Sequence, residues 1–300
     1  MNNPISFPYL GIDWDPISLL NIGPLSIRLY GLLIGLGLIL AVVYAWKRCR
    51  QFGIRQEDIT DGVLYIVPFA IICARLYYCI FEWDQYAANP ISVLYIWKGG
   101  LAIYGGVIGA IIGVAVFCHF RKIKLPALLD LVLLGFLIGQ AIGRWGNFFN
   151  REAFGAETDA WLRMGLYDSF TGVTVYHHPT FLYESVWNAL GFVALHFLSK
   201  KREYDGQIAL GYAFWYGLGR FFIEGLRTDS LYLPGTAIRV SQLVAAVSCL
   251  AAAAVLIFFL LKPPAKPLFA SRVLETDAVE ADNVETDNVE TDEEGGNEDA

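Results

Sequence analysis

Charge is scarce in this 300-residue chain, at 17 % Asp, Glu, Lys and Arg, and there are only 5 cysteines, 4 histidines and 2 methionines. So little charge excludes an ordinary soluble domain, where about a quarter of residues are ionic. Cys49, Cys73, Cys79, Cys118 and Cys249 are odd in number, scattered, and mostly within or beside apolar runs. They form no disulfide framework and no metal-ligand spacing with histidine, which leaves the role of small buried hydrophobes. The chain also lacks a nucleotide-cradling P-loop, zinc-like spacing, a basic stripe interleaved with aromatics, and a defensible Ser-His-Asp order. No metal, cofactor or nucleic-acid partner is therefore expected. The first 24 residues lack the basic start of a secretory signal and carry Asp13, Asp15 and four prolines. They are read as an extracytoplasmic amphipathic lead-in that stays attached.

What the chain has instead is apolar length: 56 % of its residues are hydrophobic and 15 % aromatic. Seven runs can each cross a hydrocarbon core of about 30 Å at about 1.5 Å per residue. They are Leu25 to Trp46, Thr60 to Phe81, Leu101 to Phe120, Ala127 to Phe148, Thr180 to Ser199, Gln207 to Leu226 and Ala237 to Leu261. Cations cluster after the first, third, fifth and seventh runs (Lys47, Arg48, Arg50, Arg55; Arg121, Lys122, Lys124; Lys200, Lys201, Arg202; Lys262, Lys266, Arg272). Short cation-rich loops stay in the cytoplasm. The expectation is an all-α membrane protein of seven transmembrane helices spanning residues 25–262, amino terminus out and carboxyl terminus in. Between helices 4 and 5, residues 149–179 are too long for a bundle turn and are expected to form a small extracytoplasmic head.

The formal net charge of −7 hides an asymmetry, because twelve of the 29 acids lie between Glu275 and Asp299. Residues 263–300, rich in proline at first and then acidic with a repeated Val-Glu-Thr-Asp, are expected to be a disordered cytoplasmic tail. Glycines at four-residue spacing (Gly31 and Gly35; Gly105, Gly109 and Gly113; Gly135, Gly139 and Gly143) predict close helix contacts in lipid.

Polar side chains inside such runs are costly, and three arginines, Arg75, Arg144 and Arg220, lie in or at the edges of spans. A charge at the membrane centre costs at least about 2.5–3.5 kcal/mol, so these residues point to an anion in the interior. Tyr216, Arg220, Glu224 and Arg227 fall near one stripe of the sixth span. An intramembrane Arg220–Glu224 pair either holds helices together or leaves further guanidinium donors for a phosphate, and the pair can do both. Tyr30 and Tyr104 sit where interfacial anchors ordinarily lie, yet they share an end of the bundle with Arg144, Asn147, Glu152, Glu224 and Arg227. His178 is either part of a helix start or the edge of a site.

The stretch Gly143-Arg144-Trp145-Gly146-Asn147-Phe148-Phe149-Asn150-Arg151-Glu152, with Gly155, resembles the signature of the bacterial prolipoprotein diacylglyceryl transferases. The likeness extends to Tyr30-Gly31, Ala74-Arg75-Leu76, Gly99 to Gly106, His178 to Glu184, and Gly219-Arg220 through Glu224 to Arg227-Thr228-Asp229, covering most of residues 25–261. The resemblance implies a multi-pass enzyme of the bacterial inner membrane that moves diacylglyceryl from phosphatidylglycerol to the cysteine thiol of a preprolipoprotein lipobox. It implies Arg144 and Arg220 as essential arginines, supported by Tyr30, Asn147, Glu152, Gly155 and Glu224. Tyr104, also counted as catalytic, stands where many members have a histidine proposed as base. A phenol with a pKa of about 10 is a poor base near neutrality, so Glu152, Glu224 or the cationic field are alternatives. Arg75, Asn150, His178 and Arg227 complete the expected substrate contacts. A rival reading is a transporter or lipid-exchange channel that binds an anion without chemistry; its mark would be an inverted repeat, and no convincing one is found. If the tail is a solvated appendage, truncation after Leu268 leaves diacylglyceryl transfer unchanged, as measured on a lipobox peptide in membranes containing phosphatidylglycerol.

Overall fold

A computed structural model describes residues 4–22, 25–87, 89–168, 171–264 and 268–271. The acidic tail expected over 263–300 lies almost entirely outside these residues. Eight α-helices are present among them: α1 (Leu29–Arg48), α2 (Gln56–Phe81), a single turn α3 (Trp83–Tyr86), α4 (Ile103–Arg121), α5 (Leu125–Asn150), α6 (Thr180–Ser199), α7 (Gln207–Leu226) and α8 (Val240–Leu261). Six of them, α1, α2, α4, α5, α6 and α8, are long and apolar enough to cross a membrane. The remaining expected span, the sixth in order, is α7, which has the 20-residue length of α6 but carries Arg220 and Glu224 near its end.

The structure departs from an all-α reading. The lead-in forms β1 (Ile5–Phe7), β2 (Ile12–Trp14) and β3 (Leu19–Ile22), followed by β4 (Leu25–Arg28); the expected head contributes β5 (Met164–Asp168) and β6 (Val173–His177). β3 and β4 pair antiparallel, Leu19 with Arg28 and Ile22 with Leu25. Those residues put their backbone groups into a hairpin, so the first helix starts at Leu29 and not at Leu25. The other four strands form an antiparallel sheet in the order β2-β1-β5-β6. Ile5 lies opposite Leu166 and Ser6 opposite Gly165, which joins the lead-in to the segment between α5 and α6. Strand alternation turns Ile5 and Phe7 the same way, and both are buried with Met164, Phe148 from the end of α5 and Phe181 from the start of α6. The Phe148 and Phe181 rings lie 4.9 Å apart and Trp145 adds an edge contact to Phe181 at 5.4 Å, seating the sheet on two helix ends.

The described residues divide into two compact units, those within 4–45 and 129–264 and those within 46–128 and 268–271. In the first, α1 and α5 meet at glycines. A methyl group on Gly37 would lie 3.1 Å from Gly139 Cα, and one on Gly135 would lie 3.1 Å from the Ala41 carbonyl oxygen. Gly31, Gly35 and Gly143, expected in such seams, have nothing within 4 Å at that position. α7 packs on both α6 and α8. In the second unit α4 lies on α2, and a methyl group on Gly105 would sit 2.5 Å from the Cys73 carbonyl oxygen.

Because Phe148 fills the junction of sheet and helices, Phe148→Ala is expected to destabilise the protein by about 3–5 kcal/mol. Thermal unfolding in detergent checks this, with easier proteolysis near the amino terminus as a companion readout.

Candidate active site

The densest cluster of charge in the first unit is built where α5, α6 and α7 bring buried ends together, and its centre is Glu184. Sequence reasoning did not select that residue, although it lay within the segment quoted for the resemblance. Arg144 Nη2 from α5 stands 2.5 Å from Glu184 Oε2, while Arg220 Nη1 from α7 donates to Glu184 Oε1 at 2.9 Å. Arg227 Nη1, one residue past α7, reaches the same Oε1 at 3.5 Å. One carboxylate with a side chain 4 % exposed therefore faces three guanidiniums. Arg220 Nη2 also holds Glu224 Oε2 at 2.6 Å, as the stripe on α7 predicts. The contacts at Glu184 Oε2 and Glu224 Oε2 are close ion pairs without hydrogen-bond alignment.

Local sequence explains the geometry. Arg144 and Glu184 come together because their chain neighbours are bonded: Trp145 Nε1 donates to Ser185 Oγ at 3.2 Å, and Ser185 Oγ to the Ala141 carbonyl at 2.8 Å. On α6, Thr180, Glu184 and Asn188 repeat every four residues and all three are buried. An acid one turn from two other polar residues in an apolar span is the signal that could have singled out Glu184.

From Arg144 a second chain of bonds leads out of the helix. Arg144 Nη1 donates to Asn147 Oδ1 at 3.4 Å, Asn147 Nδ2 to Glu152 Oε1 at 3.0 Å, and Asn150 Nδ2 to the same oxygen at 3.3 Å. Glu152 lies in a turn where Arg151 and Ala153 adopt left-handed φ angles of 54° and 56°. Such strain persists only where surroundings impose it. Here Arg151 Nη2 is tied to Asp15 Oδ1 at 2.5 Å and to the Pro16 carbonyl, and Thr180 Oγ1 donates to the Ala153 carbonyl at 2.5 Å. Tyr30, second residue of α1, lays its ring over Gly146; a methyl group there would be 2.5 Å from Tyr30 Cδ2. Gly146 is what admits the phenol beside Asn147.

Gly155 is a backbone seam. Its N–H donates to the His178 carbonyl at 2.9 Å, and the next N–H, of Ala156, to the Leu226 carbonyl at 2.7 Å, bringing this segment against the end of α7 at Arg227. His178 Nδ1 lies 3.3 Å from Tyr183 Oη, and burial pushes its pKa below the ordinary histidine value, favouring the neutral ring. Arg227 forms a two-point pair with Asp229, Nε to Oδ1 at 2.9 Å and Nη2 to Oδ2 at 2.6 Å, which holds that carboxyl below the usual range.

Of the twelve expected residues, Arg144, Arg220, Arg227, Glu224, Asn147, Asn150, Glu152, Tyr30, Gly155 and His178 belong to the first unit, and the bonds above tie most of them into one network. Arg75 and Tyr104 belong to the second. Arg75, 5 % exposed, donates Nε to the Val93 carbonyl (2.8 Å), Nη1 to those of Gly99 (2.6 Å) and Gly100 (2.9 Å), and Nη2 to that of Ser92 (2.9 Å). Most of its donors thus shape the backbone before α4, and no carboxylate is bonded to it among the described residues. Tyr104 is the second residue of α4 and is 65 % exposed. Among the described residues, no group of three His, Cys, Asp or Glu side chains is placed to hold a metal ion.

Residues 17–258 match the family described as prolipoprotein diacylglyceryl transferase. Among curated relatives, one from Clostridium novyi is 43 % identical over 254 residues, covering 82 % of this chain and 91 % of its own length. Another from Halalkalibacterium halodurans is 44 % identical over 232 residues (75 % and 80 %), and one from Oceanobacillus iheyensis is 47 % identical over 227 residues (71 % and 78 %). All three carry the name phosphatidylglycerol--prolipoprotein diacylglyceryl transferase.

Glu184 and Asp229 both accept from Arg227 but should differ in energetic weight. Glu184→Gln leaves three partly buried cations short of a counter-charge and should cost about 3–5 kcal/mol of stability. Asp229, at the rim with half its side chain exposed, should cost at most about 1 kcal/mol as Asp229→Asn. Because the Asp229 pKa is depressed on folding, its contribution is present above the unfolded value of about 4 and is lost as pH falls through the folded value. Melting temperatures of both variants at pH 7 and pH 3 check the order and the sign.

Proposed function

The chain belongs to the prolipoprotein diacylglyceryl transferase family, and we propose that it transfers the diacylglyceryl group of phosphatidylglycerol to the cysteine thiol of a preprolipoprotein lipobox. The observation that carries this reading is the set of three guanidiniums converging on Glu184 at the meeting point of three helices. A multi-pass protein retains such a cluster at high cost unless an anion uses it. The proposed setting is the bacterial cytoplasmic membrane, with seven spans, the sheet-bearing head outside and the carboxyl terminus inside. Counting α7 among the seven spans is supported by the burial of its charges: Glu224 is 2 % exposed and the Arg220 side chain 18 %, so neither needs to face lipid.

In the reaction a sulfur–carbon bond forms between the substrate cysteine and the glycerol carbon next to phosphate. The carbon–oxygen bond to that phosphate breaks, and its electron pair leaves with glycerol phosphate. Negative charge grows on the leaving oxygen, where fixed cations are most effective. Arg144 and Arg220 are assigned to that phosphate. Each guanidinium has five N–H donors and, among the described residues, uses only a few on Glu184, Glu224 and Asn147, which leaves others to turn to a ligand. Tyr30 and Asn147 orient the head group. Glu152, whose Oε1 accepts from the amides of Asn147 and Asn150, is the carboxylate of this network assigned to take the thiol proton, and Tyr104 is the phenol that many members replace by histidine. The cationic field also lowers the pKa of a nearby thiol.

Purified protein, phosphatidylglycerol and a lipobox peptide are expected to yield a peptide heavier by one diacylglyceryl group in mass spectrometry; an unmodified peptide with bound lipid would support the transporter reading. Arg220→Lys keeps the charge but loses the planar fork, and should slow transfer by about 10²-fold or more. A wild-type rate would remove Arg220 from the mechanism.

A further inference from the structure

α6 and α7 carry the same five-residue pattern, a tryptophan followed four residues later by glycine: Trp187 with Gly191, and Trp215 with Gly219. The two patterns interlock. The indoles stack with centroids 4.4 Å apart and planes 20° from parallel. Trp187 Nε1 donates to the Trp215 carbonyl and Trp215 Nε1 to the Trp187 carbonyl, each at 2.9 Å. In a helix each of these carbonyls already accepts from the N–H four residues on, which is Gly219 or Gly191. Because that residue has no side chain, the carbonyl is open from the side. A methyl group on Gly191 would strike the Trp215 indole nitrogen, and one on Gly219 the Trp187 nitrogen. Each glycine therefore makes the seat for the other helix's ring.

This reciprocity has a geometric consequence. Contacts Gly191 with Trp215, Trp187 with Gly219, and Glu184 with Arg220 run in opposite sequence directions, so the helices are antiparallel. Sliding one by a residue moves it about 1.5 Å, enough to break both indole bonds together. The next contact along this interface is Glu184 Oε1 with Arg220 Nη1 at 2.9 Å. We propose that the Trp187–Trp215 latch is a positioning device for the reaction, holding α6 and α7 in the one register that sets Glu184 against Arg220. Neither tryptophan touches the reacting atoms. The role in catalysis rests on the function proposed above, whereas the register itself does not.

Two readouts separate those claims. For the first, cysteines replace Glu184 and Arg220 with the native cysteines changed to alanine, and a short bis-thiol-reactive linker reports their proximity. Bridging should be efficient with both tryptophans present and fall several-fold with Trp187→Phe, Trp215→Phe or Gly219→Ala. For the second, transfer to a lipobox peptide is measured for the full chain in phosphatidylglycerol proteoliposomes. Each Trp→Phe change should lower kcat by about tenfold or more, since misplacements of about 1 Å reach about 10²-fold. Bridging that is unchanged in the phenylalanine variants overturns the proposal, even if transfer falls, because the rings then act only as packing. Wild-type kcat in both phenylalanine variants overturns it as well. If the unaltered protein transfers nothing while bridging still follows the tryptophans, the function reading fails and the register claim stands.

Discussion

The structure depends on a carboxylate that is almost out of solvent and almost surrounded by cations. Burying the Glu184 side chain at 3 % exposure in an apolar bundle is costly without cationic partners, and Arg144 and Arg220 are costly there without carboxylates. Mutual compensation is what permits all three. It also imposes a demand on three helices at once, because a buried ion pair repays its desolvation only when the geometry is good. Ser185 bonded to both Trp145 and Ala141, and the paired tryptophans between α6 and α7, are the neighbouring contacts that meet this demand. Small residues matter for the same reason, since Gly146, Gly191 and Gly219 each admit a ring that a side chain would exclude.

A similar logic explains the strained turn after α5. Arg151 and Ala153 take left-handed conformations that a non-glycine residue adopts at a cost of about 1–3 kcal/mol. The turn is held by Asp15 and Pro16 from the lead-in and by Thr180 from α6. What it gains is direction: the chain doubles back so that Glu152 meets the amides of Asn147 and Asn150. The lead-in is thus a structural partner of the charged cluster, through β1 in the sheet and through Asp15 at the turn.

Much of this was legible in the residues and some was not. Hydrophobic runs locate the long helices closely, with α6 and α7 matching the expected limits at both ends, because a long and mainly apolar run in a membrane has few alternatives to a helix. The β-structure was mostly missed. Ile5-Ser6-Phe7 is too short for its alternation to stand out, and its partner at Met164–Asp168 is far away in the chain, so only the tertiary pairing makes either a strand. Arg144, Arg220 and Glu224 were visible as charges in apolar surroundings. Glu184 is equally visible by that rule, but its partners Arg144 and Arg220 lie on other helices, so its central place emerges only from the tertiary pairing. Arg75 shows the converse limit: a buried arginine signals an acceptor, but here the acceptors are backbone carbonyls of residues 92, 93, 99 and 100, which no side-chain pattern reveals.

The arrangement also constrains how a phosphate could be received. Arg144, Arg220 and Arg227 are matched by Glu184, Glu224 and Asp229, so the cluster is not a bare positive pocket. A phosphate entering it adds charge to a balanced set, and its attraction must come from guanidinium donors that are unused or that turn away from a carboxylate. Close ion pairs without hydrogen-bond alignment, as at Glu184 Oε2 and Glu224 Oε2, are the contacts that lose least directional bonding in such an exchange. This favours stronger binding of a group whose negative charge is increasing than of one whose charge is constant. In the proposed reaction a phosphodiester turning into a departing phosphate monoester is such a group, and the cluster's advantage would then lie at the transition state and not at the resting lipid.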